Sequence, residues 1–294
     1  MVLVTGANGN LGRLVIDNLK NRIPFSELAV SVREPEKARD LVARGIEVRK
    51  ANFQDPASVV DAFTGIDTVL IISTRGGADV VSEHRNAIDA AVKAGVRRIV
   101  YTSGTKENIS NIGRVHEQTE EYIKKSRLVY TILRNNLYAE VLVREMLSAL
   151  RTGVLSSPVG EGEVAAVPRS DCAIVAAIVL TTAGHENSIY DVTGQDRISW
   201  KDLAETASRV TGKNIVYRPA TSDQYKDAMK AAGQPESLID FLLENYKAYS
   251  SNAYNGVSDT VAKLSGFSQL SVMQFLENSL NASIKGPSTA AMRA

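Results

Sequence analysis

The sequence predicts an α/β protein, a doubly wound parallel sheet with a smaller, mostly helical C-terminal lobe. Three observations carry this. Apolar runs of strand length alternate with stretches of helical length and period; the first run passes straight into glycines at spacing three; and the central runs are continuously apolar, as strands covered on both faces must be.

Strands are expected near 2–5, 28–33, 46–51, 67–73, 97–103 and 129–134, each separated by a helical stretch. The first enters Thr5-Gly6-Ala7-Asn8-Gly9-Asn10-Leu11-Gly12 and then a helix over about 10–21. Glycine permits positive φ and lets an anion approach the main chain, while the helix start presents free N–H groups and the positive end of its dipole. Glycines also serve such turns sterically. A strand before, a helix after and a second strand about twenty residues on are the context that a Rossmann-type phosphate-binding turn requires.

That second strand, Leu28-Ala29-Val30-Ser31-Val32, ends in Arg33. An acidic residue here would receive the 2′-hydroxyl of NAD, whereas a guanidinium suits the 2′-phosphate of NADP. A charge-assisted hydrogen bond contributes about 1.5 to 3 kcal/mol, so Arg33 predicts NADPH as cofactor, with NADH weaker. The competing reading pairs Arg33 with Glu34 or Glu36; Lys37 and Arg39 lie close enough to share either role.

Strands at 67–73 and 97–103 include Thr68-Val69-Leu70-Ile71-Ile72 and Arg98-Ile99-Val100-Tyr101, runs fit for the middle of a sheet. Right-handed crossovers place helices on both sides and the ligand at the carboxyl ends of the strands. After 135 the pattern changes to a long helix through 150, a Gly/Pro-rich loop over 153–162, short strands at 188–192 and 214–218, and helices over 235–249 and 270–280. The expected division is a dinucleotide-binding domain over 1–135, a smaller substrate lobe over 136–283 with the chain free to cross back, and a disordered tail over 284–294.

The 294 residues carry a formal net charge of +1 with scattered basic residues, which gives no footprint for nucleic acid. The single cysteine, Cys172, forms no intramolecular disulfide and reads as a buried thiol on a helix. The chain starts directly with a strand, and its longest apolar run, 172–180, is too short for a bilayer, so a soluble cytoplasmic protein with no membrane partner is expected. The three histidines, His84, His116 and His185, have no ligand-like spacing, so no metal is expected.

Carbonyl chemistry on this scaffold commonly uses a Tyr acid with Lys four residues later. None of the ten tyrosines has Lys at that position. What remains is hydride transfer to an acceptor already electron-poor, a quinone or a cationic dye, where positioning over the nicotinamide matters most.

Together these residues resemble the NmrA-like branch of the atypical short-chain dehydrogenases, and within it the NADPH:quinone oxidoreductase and triphenylmethane reductase type. The likeness rests on the glycine turn, Val32-Arg33-Glu34-Pro35-Glu36-Lys37-Ala38, His84-Arg85-Asn86, Ala94-Gly95-Val96, Tyr101-Thr102-Ser103, His116 with Thr119-Glu120, Tyr130-Thr131-Ile132-Leu133-Arg134-Asn135, and Gly184-His185-Glu186. It spans residues 1 to about 200. The resemblance implies that Gly6, Asn8, Gly9, Asn10 and Leu11 hold the pyrophosphate, that Arg33 meets the 2′-phosphate, and that Ser73, Thr74 and Arg75 line the ribose side. It also places Arg134, Asn135, Asn136, Leu137 and Tyr138 beside the nicotinamide and substrate. Where related enzymes often have Asp before an aromatic, this chain has Asn52-Phe53, which leaves Phe53 against the adenine and removes a charge.

His116 is read either as steering the substrate or supplying a proton, or as a helix-start histidine satisfied by Glu120. Asn136 and Tyr138 are candidates to orient a small planar acceptor, by hydrogen bonding and stacking respectively, with Tyr138 alternatively lobe core. Phe241, Tyr246 and Tyr249 fall at helical spacing, as core or as cavity wall. Two function classes follow: an NADPH-dependent reductase of quinones or of triarylmethane or azo-type dyes, and a non-catalytic NADP(H)-binding sensor acting through a protein partner. The sequence leaves a homodimer open.

Overall fold

The computed structural model describes residues 1–74, 79–108 and 110–284. Its first half alternates as the sequence does: β1 (Val2–Val4), α1 (Asn10–Leu19), β2 (Leu28–Val32), α2 (Arg39–Ala43), β3 (Glu47–Lys50), α3 (Pro56–Phe63), β4 (Thr68–Ile72), α4 (Val80–Lys93), β5 (Arg98–Gly104), α5 (Asn111–Lys125) and β6 (Val129–Asn135). Local chemistry sets the helix starts. Asp55, followed by Pro56, accepts from the Ser58 N–H; Asp79 accepts from Ser82 N–H; Ser110 accepts from Gly113 N–H.

The second half runs α6 (Ala139–Thr152), β7 (Val154–Ser157), β8 (Glu163–Val164), α7 (Arg169–Thr181), β9 (Ser188–Val192), β10 (Ile198–Ser199), α8 (Trp200–Thr211), β11 (Val216–Pro219), α9 (Ser222–Ala231), α10 (Glu236–Ser250), α11 (Thr260–Ser265) and α12 (Val272–Ile284).

The main sheet is parallel, with seven strands in the order β3-β2-β1-β4-β5-β6-β9. Strand order reverses between β1 and β4, so helices leave on opposite sides and a crevice opens at the carboxyl ends there. On one face Val4, Val30, Leu70, Val100 and Leu133 pack against α1 and α7; on the other Leu3, Val69, Ile71, Ile99 and Tyr101 pack against α3, α4 and α5. Alternate strand residues feeding opposite cores explain why these runs are apolar throughout.

Two expectations change. The strand at 188–192, read as part of the second lobe, is the seventh strand of the main sheet beside β6, and α7 before it covers the same face as α1. The stretch 153–162, read as a loop, contains β7, which pairs in parallel with β11. Strand length and apolarity identify a strand but say nothing of its partner. The lobe has its own core of Leu142, Met146, Trp200, Leu203, Tyr246, Tyr249, Leu276 and Leu280, from α6, α8, α10 and α12. Residues 285–294, the greater part of the expected tail, lie outside the described residues.

Candidate functional site

The turn after β1 is built on close approach. Gly6 has φ +60° and its carbonyl accepts the Gly9 N–H at 2.9 Å. A Cβ on Gly12 would stand 2.5 Å from that same carbonyl oxygen, so only glycine lets α1 sit down on the turn. Gly9 is the N-cap of α1 and supplies no side-chain acceptor, which leaves the first-turn N–H groups, those of Asn10 and Leu11 included, without an intrahelical partner. Leu11 is buried in the core while Asn8 and Asn10 are exposed. The Asn8 side-chain oxygen Oδ1 accepts from Arg13 at 2.7 Å, and Arg13 also pairs with Asp40 after β2. The sequence reading missed Arg13, whose place one turn inside the helix was the available signal.

Arg33 is exposed at the end of β2, and among the described residues no hydrogen bond or ion pair takes its guanidinium. Glu34 pairs with Lys37 at 2.7 Å, and that bond, with the Lys37 charge, holds its carboxyl below the usual range. Phe53 is buried against Ala51, Val59 and Phe63, and its carbonyl accepts from Asn86 at 2.8 Å; the Asn52 side chain accepts the Gln54 N–H at 3.1 Å.

After β4 the Ser73 N–H donates to Thr102 at 3.0 Å, and Thr74 makes two bonds, its N–H to His84 Nε2 at 3.1 Å and its hydroxyl to Glu83 at 2.8 Å. Glu83 also accepts from Gln54 at 2.8 Å, which ties the loops after β3 and β4 together. Arg75 lies outside the described residues.

At the end of β6, Arg134 grips Glu120 of α5 through two parallel bonds of 2.9 and 2.7 Å, and Ser103 donates to the same carboxylate at 2.7 Å. Burial would raise the Glu120 pKa, but these donors outweigh it and hold the group ionised. One of the two readings of His116 paired it with Glu120; the bonds of that carboxylate to Arg134 and Ser103 serve this clamp between α5 and β6. Asn135 donates to the Tyr138 hydroxyl at 3.3 Å, and its own Oδ1 is buried with no hydrogen-bond partner among the described residues. The Tyr138 ring lies under the Arg169 guanidinium at 4.3 Å, and Arg169 pairs with Glu140 at 3.2 Å.

Asn136 differs from expectation. It is buried, its amide donates to the Tyr254 and Gly256 carbonyls at 3.1 and 3.5 Å, and its oxygen accepts the Leu137 N–H at 2.6 Å. Both ends of the amide are engaged, so it fastens the 254–256 segment and does not reach out to an acceptor.

His116 lies in the second turn of α5, where its Nδ1 is 2.9 Å from the Tyr101 hydroxyl, which in turn is 3.4 Å from His84 Nδ1. His84 is fully buried, and burial pulls its pKa down to about 4, so it is neutral. The sequence held no signal for this contact, since three elements contribute to it.

In the lobe, Phe241 is exposed, whereas Tyr246 and Tyr249 pack around Trp200. Beneath them Glu145 accepts from Trp200 Nε1 at 2.6 Å and Tyr246 at 3.3 Å, and burial pushes its carboxyl up to about 7. A crevice lined by Gln195, Val257, Ser258, Asp259, Ala262 and Gln269 opens beyond the carboxyl end of β9. No helix among the described residues is long and apolar enough to cross a membrane.

A family model described as NAD(P)H-binding matches residues 6–183. Quinone oxidoreductase 2 of Escherichia coli (strain K12) is 35% identical over 268 residues, covering 90% of this chain and 94% of that one. NAD(P)H azoreductase of Xenophilus azovorans is 32% identical over 270 residues, covering 90% and 93%. Among solved structures, the Escherichia coli NADPH-dependent quinone oxidoreductase complexed with NADPH is similar with a TM-score of 0.91 at 34% identity, covering 95% of this chain and 99% of that one. The Citrobacter sp. triphenylmethane reductase complexed with NADP(H) is similar with a TM-score of 0.90 at 34% identity and the same coverage, 95% and 99%. The fold, the glycine turn and these matches agree, and the chain belongs to the NAD(P)H-binding, NmrA-like family of oxidoreductases.

Proposed function

We propose that this protein is an NADPH-dependent reductase that delivers hydride to an electron-poor, planar small molecule, a quinone or a triarylmethane or azo dye. The observation that carries the cofactor preference is Arg33: a solvent-facing guanidinium at the end of β2, unpaired among the described residues, with no carboxylate at that position. A 2′-phosphate is the partner that such a group suits. The glycine turn and the unmatched, buried Asn135 Oδ1 fit a dinucleotide lying across the strand ends. In this reading Gly6, Asn8, Gly9, Asn10 and Leu11 border the pyrophosphate, Phe53 flanks the adenine side, Ser73 and Thr74 the ribose, and Asn135 with Tyr138 the nicotinamide.

Reduced nicotinamide supplies the hydride. The protein's part is placement: the cation above Tyr138 and the Asn135 bond below it fix one wall, and the crevice between the loop after β9 and α11 receives the acceptor. The reductase names of the relatives reported above support catalysis over the sensor reading. NADPH oxidation followed at 340 nm with a quinone and with a cationic dye tests the proposal. Turnover with either supports it; tight NADP binding without oxidation by any acceptor favours the sensor.

A further inference from the structure

The contact of buried His84 and Tyr101 with half-buried His116 joins three elements through their side-chain polar atoms. The Thr74 N–H donates to His84 Nε2, so that nitrogen carries a lone pair, and the neutral ring holds its proton on Nδ1. That proton meets Thr119 Oγ1 at 2.9 Å, whose own hydroxyl donates to the Val115 carbonyl at 2.7 Å. His84 is thereby fixed as a donor at Nδ1, with the Tyr101 oxygen within 3.4 Å. Tyr101 is fully buried, and burial raises its pKa, so the phenol stays protonated and bonds His116 Nδ1 at 2.9 Å. A phenol can donate to a neutral imidazole and accept from an imidazolium, so it holds His116 in one orientation in both protonation states.

The opposite edge of the His116 ring lies at the strand ends. A Cβ on Gly104, the last residue of β5, would stand 2.9 Å from His116 Cδ2 and 3.3 Å from Nε2. Gly104 is paired with Asn135 across the sheet, so the Nε2 edge shares a level with the residue at the nicotinamide side of the proposed site. Charged groups near this cluster include Glu83 on α4, Glu120 on α5 and Arg134 on β6, the last two bonded to each other.

We propose that His116 is the proton donor for those acceptors that need a proton as well as a hydride, and that Tyr101 and His84 are its positioning residues. The inference rests on the reductase reading above. When hydride adds to a quinone, the product is a hydroquinone monoanion with its charge on oxygen. The His116 imidazolium then gives that oxygen its Nε2 proton, keeps its Nδ1 proton on Tyr101, and is recharged from solvent, to which this half-buried residue has access. When hydride adds to a triarylmethane cation, the product is neutral and no proton is called for. One site thus serves two acceptor classes, and only one of them uses His116.

The test compares kcat/KM for a quinone and for a cationic triarylmethane dye in the wild type, His116→Ala and Tyr101→Phe. Quinone reduction is expected to fall by about a hundredfold to ten-thousandfold in His116→Ala, the range of a lost general acid, with the dye changed less than about twofold. In the wild type the quinone-to-dye ratio is expected to fall as pH rises and deprotonates His116; in Tyr101→Phe the fall moves to another pH, and in His116→Ala the ratio is flat. Equal losses with both acceptors, or a pH-independent ratio in the wild type, overturn this inference alone. Failure to oxidise NADPH with either acceptor overturns the reductase reading, and this inference with it. Nitrogen-15 spectra of the histidine side chains, with His84 holding Nδ1–H in every variant, show whether the cluster is still folded.

Discussion

At the end of β2 the Arg33 guanidinium stands in water, so its contribution appears only when a phosphate reaches it. Replacing it by alanine removes no hydrogen bond or ion pair among the described residues. We expect Arg33→Ala to raise the KM for NADPH by about tenfold, to leave NADH almost unchanged, and to leave the melting temperature within error. Steady-state kinetics with both coenzymes checks this, and equal losses would remove Arg33 from the phosphate site. Glu145 is the opposite case, a carboxyl sealed under Trp200 and Tyr246 with its pKa pushed up to about 7 by burial. The folded chain keeps that proton while the unfolded chain gives it up near the ordinary value of 4.5. Stability from this residue is therefore full below about pH 4.5, declines as pH rises towards 7, and is then about 3 kcal/mol lower. Glu145→Gln should remove that slope: urea unfolding at pH 5 and pH 8 is expected to show a gain over the wild type only at the higher pH.

Single elements show why the glycines matter where they do. Gly12 belongs to α1, but the space it leaves is occupied by the Gly6 carbonyl of the preceding turn. Gly12→Ala must push the helix from the turn, an overpacking that costs about 1–3 kcal/mol, and it moves the N–H groups aimed above Gly6. A raised KM for NADPH with an unchanged KM for the acceptor is the expected signature. The strands of the first half and the glycine turn were readable because each is a local pattern: an apolar run of the right length, or a residue type that the backbone demands. The membership of β9 in the main sheet was not, since its pattern Ser188-Ile189-Tyr190-Asp191-Val192 fits any half-covered strand and only packing beside β6 decides. The candidate site divides in the same way. Gly6, Gly9 and Arg33 declare themselves by position after a strand. Asn136 has the composition of a ligand contact yet fastens the chain at 254–256, and Tyr101 looks like sheet core until α4 and α5 bring two imidazoles to its hydroxyl.

Across the whole molecule the chain does not finish one body before starting the other. It leaves the main sheet after β6, returns for α7 and β9, departs through β10 and α8, and comes back once more at α11, whose Val261 lies in the same core as α1, before α12 closes the lobe. The only tryptophan, Trp200, is fully buried in the lobe core, so its fluorescence reports that body alone, whereas far-ultraviolet circular dichroism reports both. Because each body is completed by segments anchored in the other, we expect the two signals to lose structure at the same urea concentration. A lobe transition that precedes the sheet would show the bodies to be independent. The same interlacing bears on how such proteins diversify. A new acceptor preference cannot arrive here by recombining the lobe as one contiguous block, because a crossover just after β6 would divorce α7 and β9 from the helix and strand they touch. Scattered point changes along the crevice are the route left open, and a laboratory library built on this scaffold would do well to follow it.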